Sequence, residues 1–348
     1  MIELGRQHRI GQLDSAVITV STEQHEESTG NGRDGLWRGD AEINRYVENV
    51  LRPTLRALPV TQPSGKRKVI VYIHGFNDTF RYAVRKTAQF AGDLGLVTCD
   101  GTARCLPITY SWPAEGNLFG YIADEESAEW TQQRLEPFLR SLSRICHEEN
   151  ADLDIIAHSM GARVLIRSLA DIANSCEHER GSGHLVNQVV LLAPDIGKEV
   201  FDQYVERILP IVGHFTVYVS AKDQALSLST ILHGGHYRLG FLESSVLAAL
   251  KLTGIGGLAL DRHRELAYFP AGSAGTHIDM IDVSNALADP VGHSYQDPAF
   301  IGDLKELIVH GTPAGSGARS NLKYHDVKPG VFHEATGERL RYFQLKPE

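Results

Sequence analysis

The sequence predicts an α/β fold: a mostly parallel central sheet with helices on both faces. Three observations carry that expectation. Apolar runs such as Val69 to Ile73 and Val189 to Ala193 lack polar alternation, the pattern of strands buried on both faces. Between them lie segments whose apolar residues recur at three-and-four spacing, as Val164, Leu165, Leu169 and Ile172 do. Just past the carboxyl ends of the runs stand His74, Ser159, Asp195, Asp223 and His293, where sheets of this kind place their ligands.

Taken in order, Ala16 to Val20 reads as a β-branched strand, followed by a polar, glycine-rich loop from Ser21 to Gly39. Asp40 is placed to cap a helix carrying Ile43, Tyr46, Val47, Val50 and Leu51 on one face, which Pro53 interrupts. Residues 1–68 are thus an expected extension on a core of about 69–310. The strand Val69 to Ile73 turns at His74-Gly75-Phe76-Asn77, and Asn77 or Asp78 caps a helix with Phe80, Val84, Ala88 and Ala91. Leu106 to Tyr110 is a further strand, running into Ser111-Trp112-Pro113. Asp124 opens a helix with Leu135, Phe138, Leu139, Leu142 and Ile145 inward, and Pro137 is a candidate kink. After the stretch around Ser159 come the strand Val189 to Ala193, a helix around Phe201, Val205 and Ile208, and the strand Phe215 to Ser220. His277 to Val283 is expected to be the last strand, and a helix from about Asp297 to Ile308 closes the core. The whole reads as one domain over 1–348.

Composition narrows the function. A net charge of −9 argues against a nucleic-acid binder, since phosphate binding draws on a surplus of Lys and Arg. Cys99, Cys105, Cys146 and Cys176 show no C-x-x-C spacing, so zinc and thioredoxin-type readings find little support, and the serine chemistry below is expected to need no metal or cofactor. The start, Met1 to Arg6, lacks an apolar run and a cleavage site, which points to a cytoplasmic protein. Phe241 to Leu260 is apolar, but Glu243, Lys251 and several glycines interrupt it, so stable membrane insertion is not expected.

The chemistry centres on Ala157-His158-Ser159-Met160-Gly161. A short strand, Leu153 to Ile156, ends there and a buried helix face begins. A serine at such a turn sits in a strained backbone, so the residues two before and two after it must be small. Ala157 and Gly161 meet that requirement. The helix N-terminus behind Ser159 favours developing negative charge.

Acyl transfer by serine also needs a base, an acid to orient it, and donors for the oxyanion. His293 is the preferred base, because it follows a glycine in the loop after the last strand. His277 enters that strand at its far end, His158 reads as structural, and His74 reads as a brace for the oxyanion turn. Two acids compete: Asp223, after the strand ending near Ser220, is preferred over Asp195, after Val189 to Ala193. The backbone N–H groups of Phe76 and Met160 are the expected oxyanion donors. Serine, acid and histidine fall in the order used by α/β-hydrolases.

With Ala193-Pro194-Asp195, Ser220 to Leu226 and Gly292-His293-Ser294-Tyr295, these motifs resemble a bacterial family of α/β-hydrolases of unknown function, loosely labelled esterase/lipase-like. The resemblance runs from about Val69 to Ile308. It implies the α/β-hydrolase fold and a Ser159, Asp223, His293 triad, and it brings no substrate. The expected reaction is cleavage of a small-molecule carboxylic ester through an acyl-enzyme. A lipase, thioesterase, lactonase or amidase would use the same residues, and a ligand-binding protein on a hydrolase scaffold is the rival from another class.

One segment departs from the family. Residues 231–276 are longer than the pattern requires, and Leu242, Val246, Ala249 and Leu250 fall on one side of a short helix, either a mobile lid or a surface insertion packed permanently on the body. His233 and His236 within it lack a clear third metal ligand. The tail, 311–348, starts rich in Gly and Ser and ends with Leu340, Tyr342, Phe343 and Leu345, either packing back or mediating self-association.

Overall fold

A computed structural model describes residues 2–4, 8–10, 13–15, 18–20, 33–60, 64–97, 102–114, 120–175, 184–236, 238–241, 278–286, 293, 295–314, 319–326 and 341–346. Four short strands come first: β1 (Ile2–Leu4), β2 (His8–Ile10), β3 (Leu13–Ser15) and β4 (Ile18–Val20). β1 pairs with β4 and β2 with β3, each antiparallel.

Next comes α1 (Arg33–Tyr46), which passes through a π-turn at Val47–Leu51 into α2 (Arg52–Ala57). Two expectations change here. The helix begins well before Asp40, which therefore lies inside it rather than at its cap. Pro53 opens α2 instead of ending a helix, because the first turn needs no N–H from it.

The body alternates strand and helix: β5 (Arg67–Ile73), α3 (Phe80–Asp93), β6 (Leu106–Tyr110), α4 (Tyr121–Glu148), β7 (Ala151–His158), α5 (Gly161–Ser175), β8 (Val186–Leu192), α6 (Lys198–Ile208), β9 (Val212–Val219), α7 (Gln224–Leu232), β10 (Ile278–Asp282) and α8 (Pro298–Ile308). Two further strands, β11 (Leu322–Asp326) and β12 (Arg341–Leu345), come from the tail. One eight-stranded sheet results, in the order β11-β12-β10-β9-β8-β7-β5-β6. Its pairs are parallel except β11 with β12.

Side-chain alternation divides the core. Val69, Val71 and Ile73 of β5 face the layer built with Leu51, Leu135, Leu139, Leu165 and Phe201, while Ile70 and Tyr72 face Phe90, Phe300 and Leu304. Helices therefore cover both faces, and β7 is the third strand in from the β6 edge. α4 runs uninterrupted across Pro137. Among the described residues, no helix is long and apolar enough to cross a membrane. Residues 242–277, which hold most of the expected lid and His277, lie outside the described residues, as do Cys99, Cys176, Gly292 and Ser294. Cys105 and Cys146 are free and buried.

Candidate active site

Ser159 stands between β7 and α5 at φ 51°, the left-handed region that a residue with a Cβ avoids. Hydrogen bonds hold it there. Its N–H donates to the Leu192 carbonyl (2.9 Å), and its own carbonyl accepts from Ala162 (3.1 Å) and Asp195 (3.0 Å). The small residues are needed by contact. A Cβ on Gly161 would lie 2.4 Å from the His74 carbonyl oxygen, and one on Gly75 would lie 2.8 Å from Ser159 Cβ. The turn after β5 and the start of α5 are thus pressed against each other, with Ser159 between them.

His293 and Asp223 come together. Asp223 is fully buried at the N-cap of α7; its Oδ1 accepts from the Leu226 amide (2.9 Å) and its Oδ2 meets His293 Nδ1 at 2.7 Å. A carboxylate can only accept, so Nδ1 carries the proton and Nε2 is left with a lone pair. Burial pulls the His293 pKa down, but the charge and hydrogen bond of Asp223 outweigh it, and the net shift is upward.

His158 joins these parts. Its Nε2 lies 3.2 Å from the His293 carbonyl oxygen, and the two rings are 4.7 Å apart. Since the partner is an acceptor, Nε2 donates. Burial first, and then the charge of His293, hold His158 far below the usual histidine range, so it stays neutral.

The turn after β5 is braced by His74. Its ring stacks on Trp112 (5.0 Å between centroids, 7° between planes). Nδ1 donates to the Gly75 carbonyl (2.9 Å), Nε2 accepts from the Trp112 amide (3.1 Å), and Trp112 Nε1 donates to the His74 carbonyl (2.8 Å). Burial lowers its pKa to about 4, which fits that neutral tautomer. Thr79, not Asn77 or Asp78, caps α3, accepting from the Tyr82 amide. Asn77 is instead the turn residue at φ 60°, its amide directed to Asp124 (3.3 Å), and Asp78 accepts from the Gly75 amide (3.3 Å). Asp124 lies inside α4 rather than at its start. Among the described residues, neither the Phe76 nor the Met160 amide donates a hydrogen bond.

Asp195 is engaged elsewhere. Its Oδ2 accepts from Tyr121 (2.7 Å) and its Oδ1 from Ser229 (2.7 Å), with Arg163 at 3.6 Å and Arg238 at 3.4 Å. Desolvation opposes its charge, but these partners more than offset it and its pKa is lowered. Arg163 also binds Glu125, which meets His233 Nε2 at 3.1 Å. Sequence reasoning missed this cluster, because its members come from five separate stretches of chain. One signal was available: Arg163 interrupts an otherwise apolar face immediately after Ser159.

Residues 59–266, more than half of the chain, match the family described as alpha/beta hydrolase of unknown function (DUF900). The chain belongs to this family. A comparison of this α/β-hydrolase with curated proteins found no match. Among solved structures it aligns with a dienelactone hydrolase from Anabaena variabilis at 11% identity, over 72% of this chain and 87% of that one, with a TM-score of 0.35. It also aligns with a dienelactone hydrolase-like promiscuous phosphotriesterase from metagenomic libraries (15% identity, 73% and 78% of the two chains, TM-score 0.31). A third is an esterase (16% identity, 67% and 95%, TM-score 0.31). At such TM-scores these likenesses carry no weight for the site of this α/β-hydrolase, which is argued from its own residues.

Proposed function

We propose that this chain is a serine hydrolase that cleaves carboxylic esters of small molecules. Ser159 attacks the ester carbonyl while His293 Nε2 takes its proton. Asp223 keeps His293 in the tautomer that leaves Nε2 basic, and stabilises the imidazolium once it forms. The amides of Phe76 and Met160 meet the oxyanion, a contribution of about 3 kcal/mol for one such donor. His293 then protonates the leaving alcohol, and water activated by the same nitrogen releases the acid from Ser159.

The observation that carries this reading is the 2.7 Å contact between Asp223 Oδ2 and His293 Nδ1, in a chain whose Ser159 sits in a left-handed elbow. The engagement of Asp195 by Tyr121, Ser229 and two arginines supports Asp223 as the acid. The reading takes residues 1–348 as a single catalytic unit without a metal or organic cofactor. A cytoplasmic setting belongs to the same proposal.

A fluorophosphonate probe with mass mapping tests the nucleophile, beside a series of p-nitrophenyl esters of increasing acyl length. Labelling at Ser159, lost in Ser159→Ala, with turnover of short esters is the expected result. A folded sample that neither labels nor turns over any ester, with or without detergent, would favour a ligand-binding protein on this scaffold.

A further inference from the structure

Arg238 is a poorly satisfied charge beside Asp195. It follows α7, is 5% exposed, and its Nε lies 3.4 Å from Asp195 Oδ1 without the alignment of a hydrogen bond. Among the described residues, Nε and Nη2 have no hydrogen-bond partner. These nitrogens form one edge of the guanidinium, and the parallel N–H bonds of that edge match the two oxygens of a carboxylate. A buried ionic donor without an acceptor is costly. An edge with an ion pair but no hydrogen bond among the described residues points to a further acceptor.

Asp195 meets Arg238 as an ion pair at 3.4 Å without the alignment of a hydrogen bond, while its oxygens accept from Tyr121 and Ser229. Among the described residues, two guanidinium groups, Arg163 and Arg238, share the carboxylates of Asp195 and Glu125. The Arg238 pKa is lowered: burial is the main cause, and Asp195 does not make it good.

Position ties the edge to the reacting centre. The Asp195 amide holds the Ser159 carbonyl at 3.0 Å, and Tyr121, bonded to the Asp195 carboxylate, packs its ring 5.3 Å from that of Phe76. Arg238 is thus linked to the Ser159 backbone through Asp195, and to the proposed oxyanion turn through Asp195 and Tyr121. We propose that Arg238 receives a carboxylate carried by the substrate, so that the esters cleaved here bear a free acid group. Calling that ligand a substrate rests on the serine-hydrolase reading; the binding of the acid does not.

The test is an equilibrium titration of the full Ser159→Ala chain with succinate, with succinamide as the uncharged counterpart and chloride at matched ionic strength. Succinate is expected to bind and succinamide not. Arg238→Met should weaken succinate binding by about tenfold or more, the scale of a lost charge-assisted pair. Arg238→Lys keeps the charge but loses the fork. It should also bind more weakly than the parent, and it keeps the test open if the methionine variant does not fold. Absence of succinate binding by the folded parent, or equal binding by the folded variants, would overturn the proposal. Probe labelling separates the two readings: labelling at Ser159 without succinate binding removes only the acid site, and succinate binding without labelling removes only the serine nucleophile.

Discussion

His293 can act as a base only when neutral, and Asp223 sets the pH at which that happens. Burial favours the neutral ring, but the Asp223 carboxylate at 2.7 Å prevails and raises the pKa. The acid limb of kcat/KM is therefore expected above the ordinary histidine value of about 6.5. Asp223→Asn removes the raising charge, so that limb moves to lower pH while kcat falls by about 10⁴-fold through loss of the tautomer. Asp195→Asn leaves the Asp223–His293 pair intact and should cost far less activity, while destabilising the fold around Arg163 and Arg238. A pH–rate series on the three proteins checks both statements, and a larger loss of kcat in Asp195→Asn would reverse the assignment of the acid. His158, read from the sequence as structural, sets its ring against the backbone carbonyl of His293. His158→Phe deletes that donor and should lower kcat by about tenfold with KM little changed, roughly the worth of one buried hydrogen bond. His158→Asn, which keeps an N–H, should recover part of it.

Local motifs were legible because their physics is local. The elbow follows from five consecutive residues, and the demand for glycine at 161 appears in the structure as the 2.4 Å approach of a Cβ to the His74 carbonyl. Helix starts were legible only to within a turn: Thr79 took the cap expected at Asn77 or Asp78, because Asn77 was needed at φ 60° to reverse the chain. Of the Asp195 cluster only Arg163, on the apolar face after Ser159, was signalled, since no sequence spacing links it to Tyr121, Asp195, Ser229 and Arg238. Gly161→Ala tests how tightly β5 and α5 are joined. The added methyl cannot avoid backbone atoms of Ile73 and His74, so a loss of about 1–3 kcal/mol is expected in denaturant titration. The displaced His74 carbonyl also carries the turn with Phe76, so kcat should fall as well. Unchanged stability would show that the turn moves aside freely.

At the scale of the molecule, uninterrupted apolar runs identified the parallel strands from Val69 onward, yet the edge beyond β10 was not foreseen. β11 and β12 are short, and 14 residues lie between them. Alternation over so few positions does not distinguish a sheet edge from a packed tail. What anchors this edge is charge as much as apolar contact. Arg319, fully buried, binds both oxygens of Asp303 on α8 and donates to the Tyr218 hydroxyl (3.1 Å), while Tyr218 Oη donates to Asp303 (2.7 Å). Tyr218 lies on β9, the strand that leads to Asp223, so the tail is coupled to the strand that presents the acid. Arg319→Met leaves the Asp303 carboxylate buried with only the Tyr218 hydroxyl as donor, a change of about 3–5 kcal/mol in comparable buried pairs. Truncation after Thr312 removes Arg319 together with β11 and β12, and uncovers the outer edge of β10, a template for pairing with another chain. The truncated protein is expected to melt at lower temperature than Arg319→Met and to form larger species in size-exclusion chromatography. If it elutes and melts with the parent, the two tail strands lie outside the cooperative unit that holds Asp223 and His293.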